Sequence, residues 1–287
     1  MADFVTIYEM SPRDGLQNEP RLVPAPDKIR LVDLLSAAGF RKIEVTSFVS
    51  PRWVPQMADA AEVMAGIARR PGVAYGVLAP NLKGYEAAKA AKADEVAIFA
   101  SASEGFSRAN INCTIAESLE RFRPVAEAAR ADAIPLRGYV SCVTDCPFEG
   151  PTPPSSVARV AAALAAMGCY EVSLGDTIGR GTPETVARML KAVLAELPPD
   201  CLAGHFHDTG GRALDNIEVA LDHGLATFDA AIGGLGGCPY APGASGNVDT
   251  LAVDDLLRRR GLATGLDRAG LETAARFAAS LRSGAPA

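Results

Sequence analysis

The chain has 287 residues, with 34 acidic against 28 basic side chains and a net charge of −6. That balance excludes the clustered Lys and Arg of a nucleic-acid footprint, and no apolar run reaches the roughly 18 residues that span a bilayer. Apolar residues at 48% and charged residues at 22% fit a globular chain whose core needs no disulfides.

The first residues, MADFVTIYEM, lack the basic start, apolar stretch and cleavage site of a signal peptide, so a cytoplasmic protein is expected. A β-rich run over 4–11 carries Glu9 and leads into SPRDGLQNE, where Pro12 and Gly15 bracket Arg13 and Asp14 in a tight turn. The helical stretch PDKIRLVDLLSAAG follows and ends in glycine, the usual left-handed cap. A second run over 42–48 holds Glu44 among apolar neighbours. Further runs lie at 74–80, 95–101 and 136–142, with the helical ESLERFRPVAEAARAD before the last. The run over 170–176 ends in Asp176, and Pro183 in GTPETV suits a first helical turn. The run over 202–208, LAGHFHD, holds two of the chain's three histidines, and the run over 227–234 enters the glycine-rich GGLGGCPYAPGASGN. Residues 249–283 read as two terminal helices with a frayed tail. The six cysteines are irregularly spaced, and most read as reduced, half-buried thiols.

Eight short apolar strands alternating with helices imply a parallel sheet with helical crossovers. An open doubly wound sheet competes with a closed (β/α)8 TIM barrel. The count of eight and the length favour the barrel, and no GxGxxG follows the first strand. With no composition break, residues 1–287 form one α/β domain, with short helices at its C-terminus.

In such barrels the chemistry sits at the C-terminal ends of the strands. Arg13, Asp14, Glu44, Asp176, His205 and His207 all fall there. On a strand, residues i and i+2 share a face. His205 and His207 therefore point into the barrel together, with Phe206 outward. Two imidazoles with Asp14 and a neutral oxygen from Asn247 make a candidate divalent-metal site, against the alternative of buried histidines without metal. The mixed donors suit Mg²⁺ or Mn²⁺, and the remaining His223 lies in a helical segment away from the site. Arg13 is either a surface ion pair or the stabiliser of a developing enolate, which fits making or breaking a C–C bond beside a carbonyl. The loop over 233–247 can close over a substrate, with Cys238 as a proton-transfer thiol or an inert one.

EMSPRDGLQNE, IEVTSFVSPRWVPQM, NLKGYEAA, RGYVSC, SLGDTIGRGTP, GHFHDT and GGLGGCPYAPGASGN together resemble the 3-hydroxy-3-methylglutaryl-CoA lyase family of DRE-TIM metallolyases, in its bacterial form, over about residues 4–265. The resemblance implies cleavage of the CoA thioester HMG-CoA to acetyl-CoA and acetoacetate. It implies Mg²⁺ or Mn²⁺ on Asp14, His205, His207 and Asn247, Arg13 on the enolate, Cys238 as the loop cysteine and His205 in proton transfer. Glu44, Asp176 and Glu9 would support the metal and Arg13, and Asn110 and Arg137 would lie along the acyl-CoA path. The base stays open between Asp14, a metal-bound water and another carboxylate. By the same analogy the protein serves leucine breakdown and ketone-body chemistry, and relatives are often homodimers. One departure is Gly210–Gly211 after HDT, where relatives carry an aromatic residue; the lost bulk would admit a larger acyl group. The alternatives are a lyase for another 3-hydroxyacyl-CoA, a metal-dependent aldolase or condensing enzyme on keto acids, and a barrel that has lost catalysis.

Overall fold

The computed structural model describes residues 4–236 and 246–283. The strands are β1 (Thr6–Glu9), β2 (Lys42–Ser47), β3 (Ala74–Leu78), β4 (Glu95–Ser101), β5 (Leu136–Ser141), β6 (Asp145–Cys146), β7 (Gly150–Pro151), β8 (Cys169–Asp176), β9 (Leu202–Phe206) and β10 (Thr227–Ala230). The helices are α1 (Ala25–Ala37), α2 (Ala60–Gly66), α3 (Leu82–Ala90), α4 (Glu104–Ile111), α5 (Ile115–Ala131), α6 (Pro154–Met167), α7 (Pro183–Val193), α8 (Ala213–Asp222), α9 (Thr250–Arg259) and α10 (Arg268–Ser283).

All strands but β6 and β7 close into one parallel barrel, in the order β1-β10-β9-β8-β5-β4-β3-β2. The first and last strands complete the ring, with Thr6 beside Thr227 and Glu9 beside Ala230. Closure decides between the two architectures that the alternation left open. The helices cover the outside and bury Phe206 and Phe228, the outward neighbours of inward-facing His205 and Asp229. The terminal helices are present as expected, and α10 packs on α1, with Gly270 against Ala38 and Arg30 over the Phe277 ring. Gly168 caps α6 at φ +107°, where its N–H reaches Leu164 O. The five described cysteines are free, and all but Cys201 are buried. Among the described residues no helix is long and apolar enough to cross a membrane.

Three local features depart from the periodic reading. The run over 4–11 leaves the sheet at Glu9, because Pro12 has no N–H for a ladder; Ser11–Gly15 instead form one π-type turn, with Gly15 N–H on Met10 O at 3.1 Å. The loop after β4 carries the extra helix α4, and the loop after β5 carries the antiparallel ribbon β6–β7.

The barrel interior is ionic rather than a stack of apolar layers. Arg137, fully buried on β5, donates Nε–H to Glu171 (2.7 Å), Nη2–H to Asp229 (2.8 Å) and Nη1–H to the Tyr139 hydroxyl (2.8 Å). Its guanidinium also lies 4.4 Å from the centre of the Tyr8 ring. A charge this deep persists because each of its three nitrogens donates to a partner.

Candidate active site

The π-type turn at the end of β1 sets the first two site residues. Gly15 packs so closely on the segment after β10 that a Cβ there would lie 2.8 Å from Leu235 Cβ. Arg13 is clamped from both sides, donating Nη1–H to Asp14 (2.5 Å) and Nε–H to Glu44 on β2 (2.5 Å). Glu44 is itself held by the Tyr139 hydroxyl at 3.1 Å. Arg13 is therefore no surface ion pair, being 6% exposed. Burial opposes its charge, but Glu44 and Asp14 hold the guanidinium protonated.

β9 and the residue that follows it deliver His205 and His207, with ring centres 5.2 Å apart. The chain returning at 246–248 pairs antiparallel with the end of this strand: Asp208 N–H bonds to Gly246 O (2.8 Å) and Val248 N–H to Phe206 O (3.3 Å). This pairing sets Asn247 beside His207. The Asn247 amide donates to Asp14 Oδ2 at 2.8 Å and to Leu235 O at 3.2 Å. Four residues from three distant parts of the chain thus meet at one point.

The ligand atoms of Asp14, His205 and His207 lie within 4.8 Å of one another, and His205 Nε2 stands 4.0 Å from Asp14 Oδ2. His207 Nδ1 is buried and has no hydrogen-bond partner among the described residues, a costly arrangement unless the nitrogen serves a ligand. Burial, reinforced by His205 and opposed by Asp14, lowers His207 to about 4, so its imidazole is neutral near pH 7. Burial raises Asp14, but Arg13 and then the two histidines outweigh it and bring the carboxyl down to about 2. A carboxylate, two imidazoles and a neighbouring amide fit a divalent cation in a mixed nitrogen and oxygen shell.

The remaining expected residues separate. Asp176 ends β8 but touches none of the metal-binding cluster; it accepts from Thr144 Oγ1 (2.6 Å) and Gly181 N–H (2.8 Å) and ties two mouth loops together. Glu9 does not reach Arg13. It accepts from Ser11, from Ile232 N–H (3.0 Å) and from Thr250 Oγ1 (2.7 Å), locking β1 to the segment after β10. Arg137 is a correction: with Glu171, Asp229 and Tyr139 on its nitrogens and no exposed surface, it cannot line an acyl-CoA path. Asn110 is exposed on the last turn of α4. His223 caps α8 with Nδ1 on Val219 O, away from the cluster. Cys238 lies outside the described residues.

Gly210 also needs correction. A Cβ there would lie 2.7 Å from Gly179 O, so this glycine permits two loops to touch rather than opening space beside the metal. Only Gly211 faces open space, at φ +68°. One residue that the sequence reading missed is Asp229, whose Oδ2 lies 3.1 Å from His205 Nδ1. Its signal was present in TFDAAIGG: a lone carboxylate alternating with Phe228 on an otherwise apolar strand.

Residues 4–277 match the family model described as HMGL-like. The chain is 59% identical over 92% of its length, and 88% of the relative's, to a Pseudomonas aeruginosa protein named 3-hydroxy-3-isohexenylglutaryl-CoA/hydroxy-methylglutaryl-CoA lyase. It superposes on the crystal structure of the HMG-CoA lyase from Brucella melitensis with a TM-score of 0.97 and 63% identity, covering 98% of this chain and 100% of that one. An HMG-CoA lyase from Acinetobacter baumannii, solved in complex with coenzyme A and 3-methylmalate, superposes with a TM-score of 0.93 and 39% identity over 98% of this chain and 92% of that one.

Proposed function

The chain belongs to the HMGL-like family, and from that premise we propose that it cleaves 3-hydroxy-3-methylglutaryl-CoA to acetyl-CoA and acetoacetate by a metal-dependent retro-Claisen step. The observation that carries this reading is the convergence of Asp14, His205 and His207 beside a clamped Arg13 at the barrel mouth.

Asp14, His205, His207 and Asn247 would hold the cation, which we take as Mg²⁺ or Mn²⁺ from the mixed nitrogen and oxygen shell. Such an ion would supply Lewis acidity, which lowers the pKa of a tertiary hydroxyl. The rest of the step falls to side chains. A base takes the hydroxyl proton, the bond between the carbinol carbon and the thioester α-carbon breaks, and its electron pair moves onto the thioester carbonyl. Arg13 would receive that charge. Nε and Nη1 are held by Glu44 and Asp14, so the guanidinium needs no rearrangement to present its remaining Nη2 edge to the enolate oxygen. Protonation of the α-carbon then gives acetyl-CoA. We assign that proton transfer to Cys238, in the loop that ends at Asn247, with His205 assisting. Exposed Asn110 is placed along the CoA path.

A lyase of the same mechanism with a longer acyl branch is the second reading. It is favoured by the Pseudomonas relative, which is named for both substrates, and by the open space at Gly211. Purified protein is offered HMG-CoA and 3-hydroxy-3-isohexenylglutaryl-CoA, and kcat/KM is read for each. The primary reading expects acetoacetate from HMG-CoA at the higher value. A preference of tenfold or more for the longer substrate moves the assignment to the second reading, and no acetyl-CoA from either sinks both.

A further inference from the structure

Asp229 sits at the centre of the barrel with its side chain fully buried. Its two oxygens meet four donors: Arg137 Nη2 reaches Oδ1 at 2.8 Å, while Ser173 Oγ (2.7 Å), His205 Nδ1 (3.1 Å) and Arg137 Nη1 (3.2 Å) all reach Oδ2. A carboxylate gripped by a fork of guanidinium nitrogens is ionised, and an ionised carboxylate only accepts. His205 Nδ1 must then carry the hydrogen. If it were the bare nitrogen, two lone pairs would face each other at 3.1 Å with nothing between them.

The strand register makes this contact obligatory. Asp229 on β10 stands directly beside His205 on β9, and the same pleat that turns His205 inward turns Asp229 inward with it. Arg137 reaches Asp229 from β5, and Ser173 reaches it from β8.

We propose that Asp229 is the positioning residue for the metal centre: it fixes the proton of His205 on Nδ1 and so aims the bare Nε2 at Asp14 and the cation. Arg137 and Ser173 hold the carboxylate in place for that task. Asp229 touches neither substrate nor metal and acts through His205. This role deepens the metal-dependent reading above and rests on it, but its test is made without substrate, so a failed lyase assay leaves the answer intact.

Asp229→Asn is close to isosteric, and an amide can turn its NH₂ toward Nδ1, which would move the imidazole proton to Nε2. The variant should bind Mn²⁺ about 10- to 100-fold more weakly than the parent, by titration against free Mn²⁺ in electron paramagnetic resonance. Its melting curve shows whether it is folded. Binding within twofold of the parent in a folded variant overturns the proposal. A second measurement needs no Asp229 variant: ¹⁵N-histidine spectra of the metal-free parent at alkaline pH, with His205 assigned by the signal lost in His205→Gln. The proposal requires the Nδ1–H tautomer at His205, and an Nε2–H tautomer overturns it even if Asp229→Asn fails to fold.

Discussion

His205 Nε2 stands 4.0 Å from Asp14 Oδ2, although Asp14 lies in the turn after the first barrel strand and His205 on the last but one. Barrel closure produces this relationship, since β10 alone separates the two strands. Much of the behaviour expected of the site follows from it.

Asp14 should give the metal-free protein an acid-sensitive component of stability. Its folded pKa of about 2 lies below the ordinary aspartate value of 3.8. A depressed carboxyl stabilises the fold fully above its unfolded pKa and loses that contribution as pH falls through the folded pKa. The shift corresponds to roughly 2 kcal/mol, of which about 1 kcal/mol is gone by pH 3. Urea unfolding in EDTA at pH 6 and pH 3 should show the gap between parent and Asp14→Asn narrowing by that amount. A gap independent of pH would remove the Arg13–Asp14 pair from the account.

Arg13→Lys should fold and still fail. One ammonium cannot span Glu44 and Asp14 as the guanidinium does, nor keep an edge free for the enolate. The expected result is kcat down by about 10²- to 10³-fold, with metal affinity within a few-fold of the parent. A fall confined to KM would make Arg13 a binding group only.

Arg137→Met should destabilise the protein by about 3–5 kcal/mol, because Glu171 and Asp229 would be left as uncompensated buried carboxylates. At saturating metal, the KM for the acyl-CoA should be unchanged. A large rise in KM with unchanged stability would return Arg137 to the CoA path.

Gly210→Ala should lower stability by about 1–3 kcal/mol, since the new Cβ would meet Gly179 O at 2.7 Å. Thermal melting reads this directly. An unchanged melting temperature together with altered acyl-chain preference would revive the view that this glycine shapes the substrate pocket.

The barrel, its eight strands and the inward histidine pair were legible in the sequence because each rests on a local period: two along strands, 3.6 along helices. Arg13 and Asp14 were legible because Pro12 and Gly15 mark the turn that carries them. The ion network was harder to read. Arg137, Glu171 and Asp229 each look like one polar residue in an apolar run, and only barrel closure shows that they point at one another. The family resemblance implies Arg137 on a ligand path and Glu9 and Asp176 beside Arg13 and the metal, and no local period bears on either point. Glu9 and Asp176 do end their strands, whereas Arg137 is the second residue of β5, and the direction of each side chain is fixed by its partners. Gly210 was read for the bulk it lacks, whereas its loop needs the close approach to Gly179.

Cleavage of HMG-CoA, followed as acetoacetate release, tests the central claim most directly. The purified protein would be stripped with EDTA and then given Mg²⁺ or Mn²⁺, beside His205→Ala and Cys238→Ser. The account predicts no product in EDTA, recovery on adding the ion, no recovery in His205→Ala, and a loss of at least 10²-fold in Cys238→Ser with metal binding retained. Full activity in EDTA would contradict the metal centre, and full activity in Cys238→Ser would contradict the loop thiol as the proton-transfer group.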